Sequence, residues 1–565
     1  MVSSLVLILG AFLLPFVKGR PRDAVALVLP LAALVLIWQS PDGLQLSTSF
    51  IAYELVPVTL AYELVPAKDD ALSRLFGTIF AIMAFAGALF ALKQARVIEL
   101  TAAFVYAGAS IGVACSGDLI TLFIFWEIMA LGSTIVIWSA NTEAAYRASI
   151  RYILIHLLGG VVLMAGVIAY ATETGSIAFG QMTLGSPATW LILIGFLVNV
   201  AAPPISAWLP DAYPEASPSG MVFLSAFTTK TAVYVLLRGF PGTELLIFVG
   251  LYMSFYGIVY ALLENDMRRI LAYSICNQVG FMVTGIGIGT EMALNGAAAH
   301  AFTHIIYKAL LLMSAGSVLY MTGKRKCTDL GGLFQSMPLT CICGTIGALA
   351  ISSFPLTSGF ISKSMISQAA ADQHLAIVWF LLAAASAGVF LHAGIKFPWF
   401  VFFQKDSGLR PPDPPMNMRI AMVFFAFLCI AIGVVPGPLY DLLPYPVDYV
   451  PYTADHVVTM LQLLLFSGLA FFLLLPLMKR TLTISLDTDW FYRKAGAVVG
   501  GWLVERTGLA RIRAERGSRA VLAGWLEQVF QLHRPQGILA RSWTTGSTVF
   551  AVVSVFVVVL VLSYI

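Results

Sequence analysis

The sequence predicts an all-α polytopic membrane protein of about sixteen transmembrane helices. Two observations carry that reading. Of the 565 residues, 59% are hydrophobic and only 11% are charged, whereas soluble globular chains hold about 45–50% apolar and about 25% charged residues. Apolar runs of roughly 20 residues, the length of a bilayer span, recur along the chain. Hydrocarbon leaves no partner for an open strand edge, so the spans are helices.

The spans are expected at about 4–17, 24–38, 76–92, 97–115, 118–139, 149–171, 188–207, 219–238, 244–263, 268–289, 293–321, 338–368, 374–403, 417–437, 457–477 and 545–564. Residues 1–17 lack a basic leader and a small-residue cleavage site, so they read as the first span. Loop charge supports the count. Basic residues follow odd-numbered spans: Lys18, Arg20 and Arg22; Lys93 and Arg96; Arg147 and Arg151; Arg268 and Arg269; Lys324, Arg325 and Lys326; Lys405 and Arg410; Lys479 and Arg480. Loops after even spans are mostly acidic, with Arg74 and Arg238 as exceptions. The positive-inside rule then puts both termini on the non-cytoplasmic side.

This divides the chain into 1–96 (spans 1–3, with an outer loop at 39–75), 97–238 and 244–403 as two halves, 404–477, 478–544 and the last span at 545–565. The outer loop holds Ala-Tyr-Glu-Leu-Val-Pro twice, at 52–57 and 61–66, which reads as a surface hairpin. Residues 478–544 alternate arginines with Trp490, Trp502 and Trp525. Such a segment lies along a membrane interface or against partner subunits; a plain basic connector is the competing reading.

The net charge of +4 is scattered through loops, so no nucleic-acid partner is expected. Six cysteines without a CxxC support no zinc site, cluster or disulfide framework, and no cofactor is expected. The tyrosine stripe Tyr252, Tyr256 and Tyr260 reads as packing.

Two spans carry helix-breaking strings. Span 7 holds Pro203 and Pro204, and span 12 holds Pro355. Proline removes a helical hydrogen bond. Interrupted helices in corresponding halves point to a transport site between repeats. Ionisable residues inside spans are functional candidates by default. They are Glu127, His156, Lys230, His300, His304, Lys308 and Lys363. His300, His304 and Lys308 are spaced i, i+4, i+8, so they line one face, rising about 6 Å per step. Histidine passes protons near neutrality, and a lysine held from water can exchange between ammonium and amine. The three read as a relay; the competing reading is a polar helix interface. Glu127 needs a partner to stay charged in low dielectric.

Several strings resemble the antiporter-like subunits shared by Mrp-type multisubunit Na⁺/H⁺ antiporters, respiratory complex I and membrane-bound hydrogenases. They are Gly117-Asp118-Leu119 running to Phe125-Trp126-Glu127, Trp208-Leu-Pro-Asp211, Asp266-Met-Arg-Arg, His300-Ala-Phe-Thr-His304-Ile-Ile-Tyr-Lys308, Asp329-Leu-Gly-Gly and Ser358-Gly-Phe-Ile-Ser-Lys363. The resemblance covers about residues 70–405 and is strongest to the D subunit of the Mrp type; the C-terminal lateral segment resembles the distal antiporter-like subunit of complex I. It implies two inverted five-helix repeats with discontinuous helices, and a proton or cation pathway through Glu127, Lys230, His300, His304, Lys308 and Lys363. It also implies other membrane subunits as partners, in the lipid bilayer, with protons and Na⁺ as the transported ions.

One position departs. The family places a lysine nine residues before the tryptophan of Trp-Leu-Pro-Asp, where this chain has Asn199. Asparagine can hydrogen-bond Glu127 but carries no charge. Glu127 then pairs elsewhere, with His156 as the candidate, or the first half-channel is altered or silent. The expected function is that of a cation/proton antiporter subunit. Its rivals are a proton-translocating subunit of a redox complex, a mainly structural subunit, and a subunit of an energy-coupled inorganic-carbon uptake assembly.

Overall fold

The computed structural model describes residues 1–41, 43–54, 59–476, 487–534, 537 and 542–564. They form two units, Met1–Asp489 and Trp490–Ile565. The first opens with α1 (Val2–Ala11) and α2 (Arg20–Gln39). A two-stranded antiparallel hairpin follows, β1 (Gln45–Glu54) with β2 (Thr59–Lys68). It is the hairpin expected at the duplicated strings, although residues 55–58 lie outside the described ones. Next come α3 (Ala71–Ala91), α4 (Val97–Cys115), α5 (Leu119–Trp138), α6 (Glu143–Thr174) and α7 (Pro187–Val200).

After a break stand α8 (Trp208–Ala212), α9 (Pro218–Leu224) and α10 (Thr228–Gly239). Then come α11 (Leu245–Leu263), α12 (Met267–Ile288), α13 (Glu291–Thr322), α14 (Pro338–Ile351) and α15 (Ser358–Asp372). α16 (Ala376–Val389) runs on through two π-type stretches, Phe390–Lys396 and Trp399–Phe403. α17 (Met416–Val434), α18 (Gly437–Tyr440) and α19 (Ala454–Leu473) complete this unit's helices.

Among the described residues, thirteen helices are long and apolar enough to cross a membrane. The three remaining expected spans hold shorter apolar helices, α1, α7 and α14. Span 1 is helical only to Ala11, with turns beyond. Spans 7 and 12 are cut by their breaks. Lys479 and Arg480, expected after span 15, lie outside the described residues.

Helix-start signals recur at one spacing. Asp118 caps α5 and Asp266 caps α12; Thr142 caps α6 and Thr290 caps α13. In each, a side-chain oxygen accepts from the free N–H groups of the first turn. α6 and α13 are both 32 residues long and end at left-handed Gly175 and Gly323, the usual helix-stop geometry. All these pairs (118 and 266, 142 and 290, 175 and 323) lie 148 positions apart. This shared register is the ground for proposing two structural repeats, at 97–238 and 244–403.

α13 is the centre of the second half. It packs on α12, α14, α15 and α17, and also on α9 and α10, so its polar face meets protein rather than lipid. α11 and α12 approach closely through small residues: a Cβ on Gly257 would lie 2.5 Å from Tyr273 O, and one on Gly280 2.5 Å from Gly250 O. Small residues at helix contacts are how bundles pack in lipid.

The two arginines that broke the loop-charge pattern are both held. Arg74 donates to Ser40 O at 3.0 Å. Arg238 pairs with Asp70 at 2.8 Å, and Asp70 also caps α3 through Ser73 N at 2.9 Å. Burial pushes the Asp70 carboxyl up, but Arg238 and Ser73 outweigh it and hold it below its ordinary value. The tyrosine stripe does more than pack. Tyr256 and Tyr273 donate to Asp487 at 2.6 and 2.7 Å.

The second unit holds α20 (Gly496–His533) and α21 (Thr545–Tyr564). α20 is one 38-residue helix that leaves Trp502 and Trp525 exposed. Parts of the expected lateral segment, 478–486, 535–536 and 538–541, lie outside the described residues.

Candidate functional site

The caps at Thr290 and Gly323 set the register that places His300, His304 and Lys308 in the middle of α13, all fully buried. His300 bridges three helices. Its Nδ1 is 3.0 Å from Ser362 Oγ on α15, and its Nε2 is 3.2 Å from Gln278 Oε1 on α12. An amide oxygen only accepts, so Nε2–H donates to Gln278. Tyr307 also donates to Gln278 Oε1, at 3.1 Å. His304 is different: both ring nitrogens lack a hydrogen-bond partner among the described residues. Its ring centre lies 6.1 Å from that of His300 and 5.2 Å from that of Tyr307.

The lysines share one kind of partner. Lys308 Nζ donates to Ser274 Oγ at 2.8 Å and to Leu271 O at 3.3 Å. Lys363 Nζ donates to Ile351 O at 3.0 Å and lies 4.7 Å from the Phe281 ring centre. Lys230 Nζ donates to Ser225 O at 2.7 Å and to Thr229 Oγ1 at 3.1 Å. Lys363 and Lys230 therefore sit at helix breaks, after α14 and after α9. There the amine meets carbonyls that the helix leaves unpaired, at the end favoured by positive charge. Among the described residues no carboxylate pairs with any of the three.

The expected breaks are present. α7 ends at Val200; Ala201 has φ 64°, and the Pro203–Pro204 bond is cis. α14 ends at Ile351, with Ser353 at φ 60° and Leu356 at φ 68° around Pro355. A non-glycine residue in this region costs of order 1–3 kcal/mol, and such strain gathers at functional sites.

The first half is poorer. In the shared register the α6 counterparts of His300, His304 and Lys308 are Tyr152, His156 and Gly160. His156 Nδ1 lies 2.9 Å from Tyr152 O, so it donates to that carbonyl, and Nε2 has no partner among the described residues. Glu127 packs on Gly160, where an added Cβ would overlap its Oε1, and this oxygen is also unpartnered there. The expected Glu127–His156 pair is not made. The His156 ring is stacked on Tyr152 at 3.9 Å and edged by Trp208 at 4.6 Å, while Glu127 lies one helical turn away along α6. Nor does Asn199 hydrogen-bond Glu127: both of its amide atoms are buried without a partner among the described residues.

Two ionisable residues outside the expected set are buried on α16, His392 and Lys396. The signal that could have found them is the i, i+4 spacing that marks α13. Gln278, Ser362 and Tyr307 also join the network, although nothing in their spacing singled them out. Among the described residues no cluster of three His, Cys, Asp or Glu could hold a metal, and the six cysteines are free and buried.

Comparison with known proteins bears on the chain's sequence family and fold. The family described as "NADH:quinone oxidoreductase/Mrp antiporter, TM" matches residues 116–390. The A/B-type chain of a probable K(+)/H(+) antiporter of Rhizobium meliloti (strain 1021) is 30% identical over 59% of this chain and 36% of its own length. The D-type chain of an Na(+)/H(+) antiporter of Alkalihalophilus pseudofirmus is 28% identical over 60% of this chain and 72% of its own. The chain thus spans only about a third of the first of these relatives. Its fold matches a chain of the membrane-bound sulfane sulfur reductase, an archaeal respiratory membrane complex, with TM-score 0.69 at 21% identity over 99% of both chains. Residues 116–390, which hold every breakpoint and buried lysine of the expected pathway, are thus similar to the membrane family shared by NADH:quinone oxidoreductase and Mrp antiporters.

Proposed function

We propose that the chain is a membrane subunit of a multisubunit cation/proton antiporter that moves protons through Lys230, His300, His304, Lys308 and Lys363, with Glu127 at the first-half end. The observation that carries this reading is the partnering of the lysines. Among the described residues each donates only to carbonyl or hydroxyl oxygens, and none is locked into a static ion pair there. A lysine at mid-membrane costs about 2.5–3.5 kcal/mol on insertion scales. Three of them in one bundle serve something other than stability.

The chemistry follows from the geometry. An ammonium that gives up a proton becomes an amine with a lone pair, ready to take the next one. A histidine accepts a proton at one ring nitrogen and releases one from the other. A ring nitrogen without a fixed partner is open to that exchange, and His304 has two among the described residues. His304 lies between Lys308, one turn along α13, and His300, whose Ser362 and Gln278 partners lead on toward α15 and α12. The proposed cation is Na⁺, the partners are other membrane subunits, and the location is a bacterial cytoplasmic membrane with both termini outside the cytoplasm.

The test is transport by the assembled complex in vesicles. Lys363→Ala and His304→Ala should each cut cation-driven proton movement about tenfold, which is ~1.4 kcal/mol, with assembly unchanged. Full activity in both would overturn the relay. A second reading, a proton-translocating subunit of a redox complex, is favoured by the fold likeness to the sulfane sulfur reductase chain over 99% of both chains. Iron–sulfur or quinone-site subunits in the purified complex would decide for it.

A further inference from the structure

We propose that His392 and Lys396 of α16 continue the pathway, as the step between Lys363 and the loop joining α11 to α12. This rests on the relay reading above. Both residues lie in the π-type stretch Phe390–Lys396. π turns widen a helix and recur at functional sites. The stretch packs on α11, α12, α14 and α19.

Gly394 brings it against the α14 break, since an added Cβ there would overlap Ser352 Oγ. Ser352 directly follows Ile351, whose carbonyl accepts from Lys363. His392 is two residues from Gly394 and fully buried. Its Nδ1 lies 2.8 Å from Gly388 O and donates to it, leaving Nε2 without a partner among the described residues. That unpartnered nitrogen belongs to the stretch that Gly394 holds against the α14 break, four residues before Lys396.

Lys396 stands four residues on. Its Nζ donates to the carbonyls of Ala261 at 3.0 Å, Leu262 at 2.6 Å and Glu264 at 2.6 Å. It is 5% exposed, against 0% for Lys230 and Lys308, which puts it at the rim of the bundle. Beyond it lies the polar loop that holds Asp266 and the Glu264–Arg269 ion pair, 2.9 Å long. The sequence of groups runs from Lys363 at the α14 break, past His392, to Lys396 at the end of α11. The Lys396 ammonium first passes a proton to the loop and becomes an amine. A proton leaving the Lys363 ammonium is then taken at His392 Nε2, and the imidazolium, its Nδ1–H still on Gly388 O, releases that proton from Nε2 to the Lys396 amine.

The competing role for Lys396 is to cap α11. Arginine separates the two roles. It can donate to the same carbonyls and keeps the charge, but it does not give up its proton. His392→Asn likewise keeps a short donor and loses the shuttle. The whole complex, in vesicles, would carry Lys396→Arg, His392→Asn or, as control, Lys363→Ala. The inference expects both α16 variants to assemble and to lose cation-driven proton flux about fivefold or more, alongside Lys363→Ala. Wild-type flux in Lys396→Arg and His392→Asn, with Lys363→Ala impaired, overturns the α16 step and leaves the relay standing. Wild-type flux in all three overturns both. Where Lys396→Arg fails to assemble, His392→Asn decides: lost flux in an assembled complex supports the step, and unchanged flux overturns it.

Discussion

The two halves of the bundle share a register but not a chemistry. α6 and α13 have the same length, the same kind of threonine cap and the same glycine stop. At matching positions α13 carries His300, His304 and Lys308, while α6 carries Tyr152, His156 and Gly160. The second half holds His300 and Lys308 by hydrogen bonds to α12 and α15, with His304 unpartnered between them among the described residues. In the first half, Glu127 Oε1, His156 Nε2 and both Asn199 amide atoms have no partner among the described residues. Backbone architecture and buried side-chain chemistry thus vary independently: caps and glycines repeat the scaffold, while the side chains at matching positions differ.

The largest effect is expected at Lys308. Lys308→Ala removes a buried amine held by Ser274 and Leu271 and should lower proton flux about tenfold or more in vesicles, with the complex intact. A smaller effect should follow from Asn199→Lys. A lysine there could pair with Glu127 and give the first half a titratable base. The expected result is a changed ratio of protons to cations; an unchanged ratio would mean the position is neutral. Gly160→Ala should be milder still. Its Cβ would meet only the end of the flexible Glu127 side chain, so thermal unfolding should shift by less than about 1 kcal/mol.

The smallest effect is expected at the Asp70–Arg238 pair, which is partly open to solvent. Asp70→Asn should cost about 1 kcal/mol or less. The sign with pH is fixed by the lowered carboxyl. The contribution is present above the ordinary aspartate pKa and is lost as pH falls through the lowered one. Thermal unfolding of Asp70→Asn and the parent should therefore converge in acid.

Much of the scaffold was legible in the sequence, because hydrophobic runs and loop charge are local signals. The breaks at Pro203–Pro204 and Pro355 were legible for the same reason. The i, i+4, i+8 spacing on α13 likewise marks its buried polar face in the bare chain. What escaped was whatever depends on neighbours from elsewhere in the chain. Gln278 and Ser362 are ordinary polar residues until α12 and α15 bring them to His300. The Glu127–His156 pair failed because Tyr152 and Trp208 clamp the imidazole. Span 1 fell short of its apolar run because hydropathy does not report where a helix stops. The tyrosine stripe read as packing because its partner, Asp487, lies 231 positions from Tyr256.

The central claim is that the row from Lys230 onward conducts and that the Glu127 end, interrupted at Asn199, is altered. Proton flux through the assembled complex, measured side by side for Lys308→Ala and Glu127→Gln, tests it most directly. The account predicts a loss of about tenfold for Lys308→Ala and less than about twofold for Glu127→Gln. Equal losses, or a larger loss at Glu127, would contradict it.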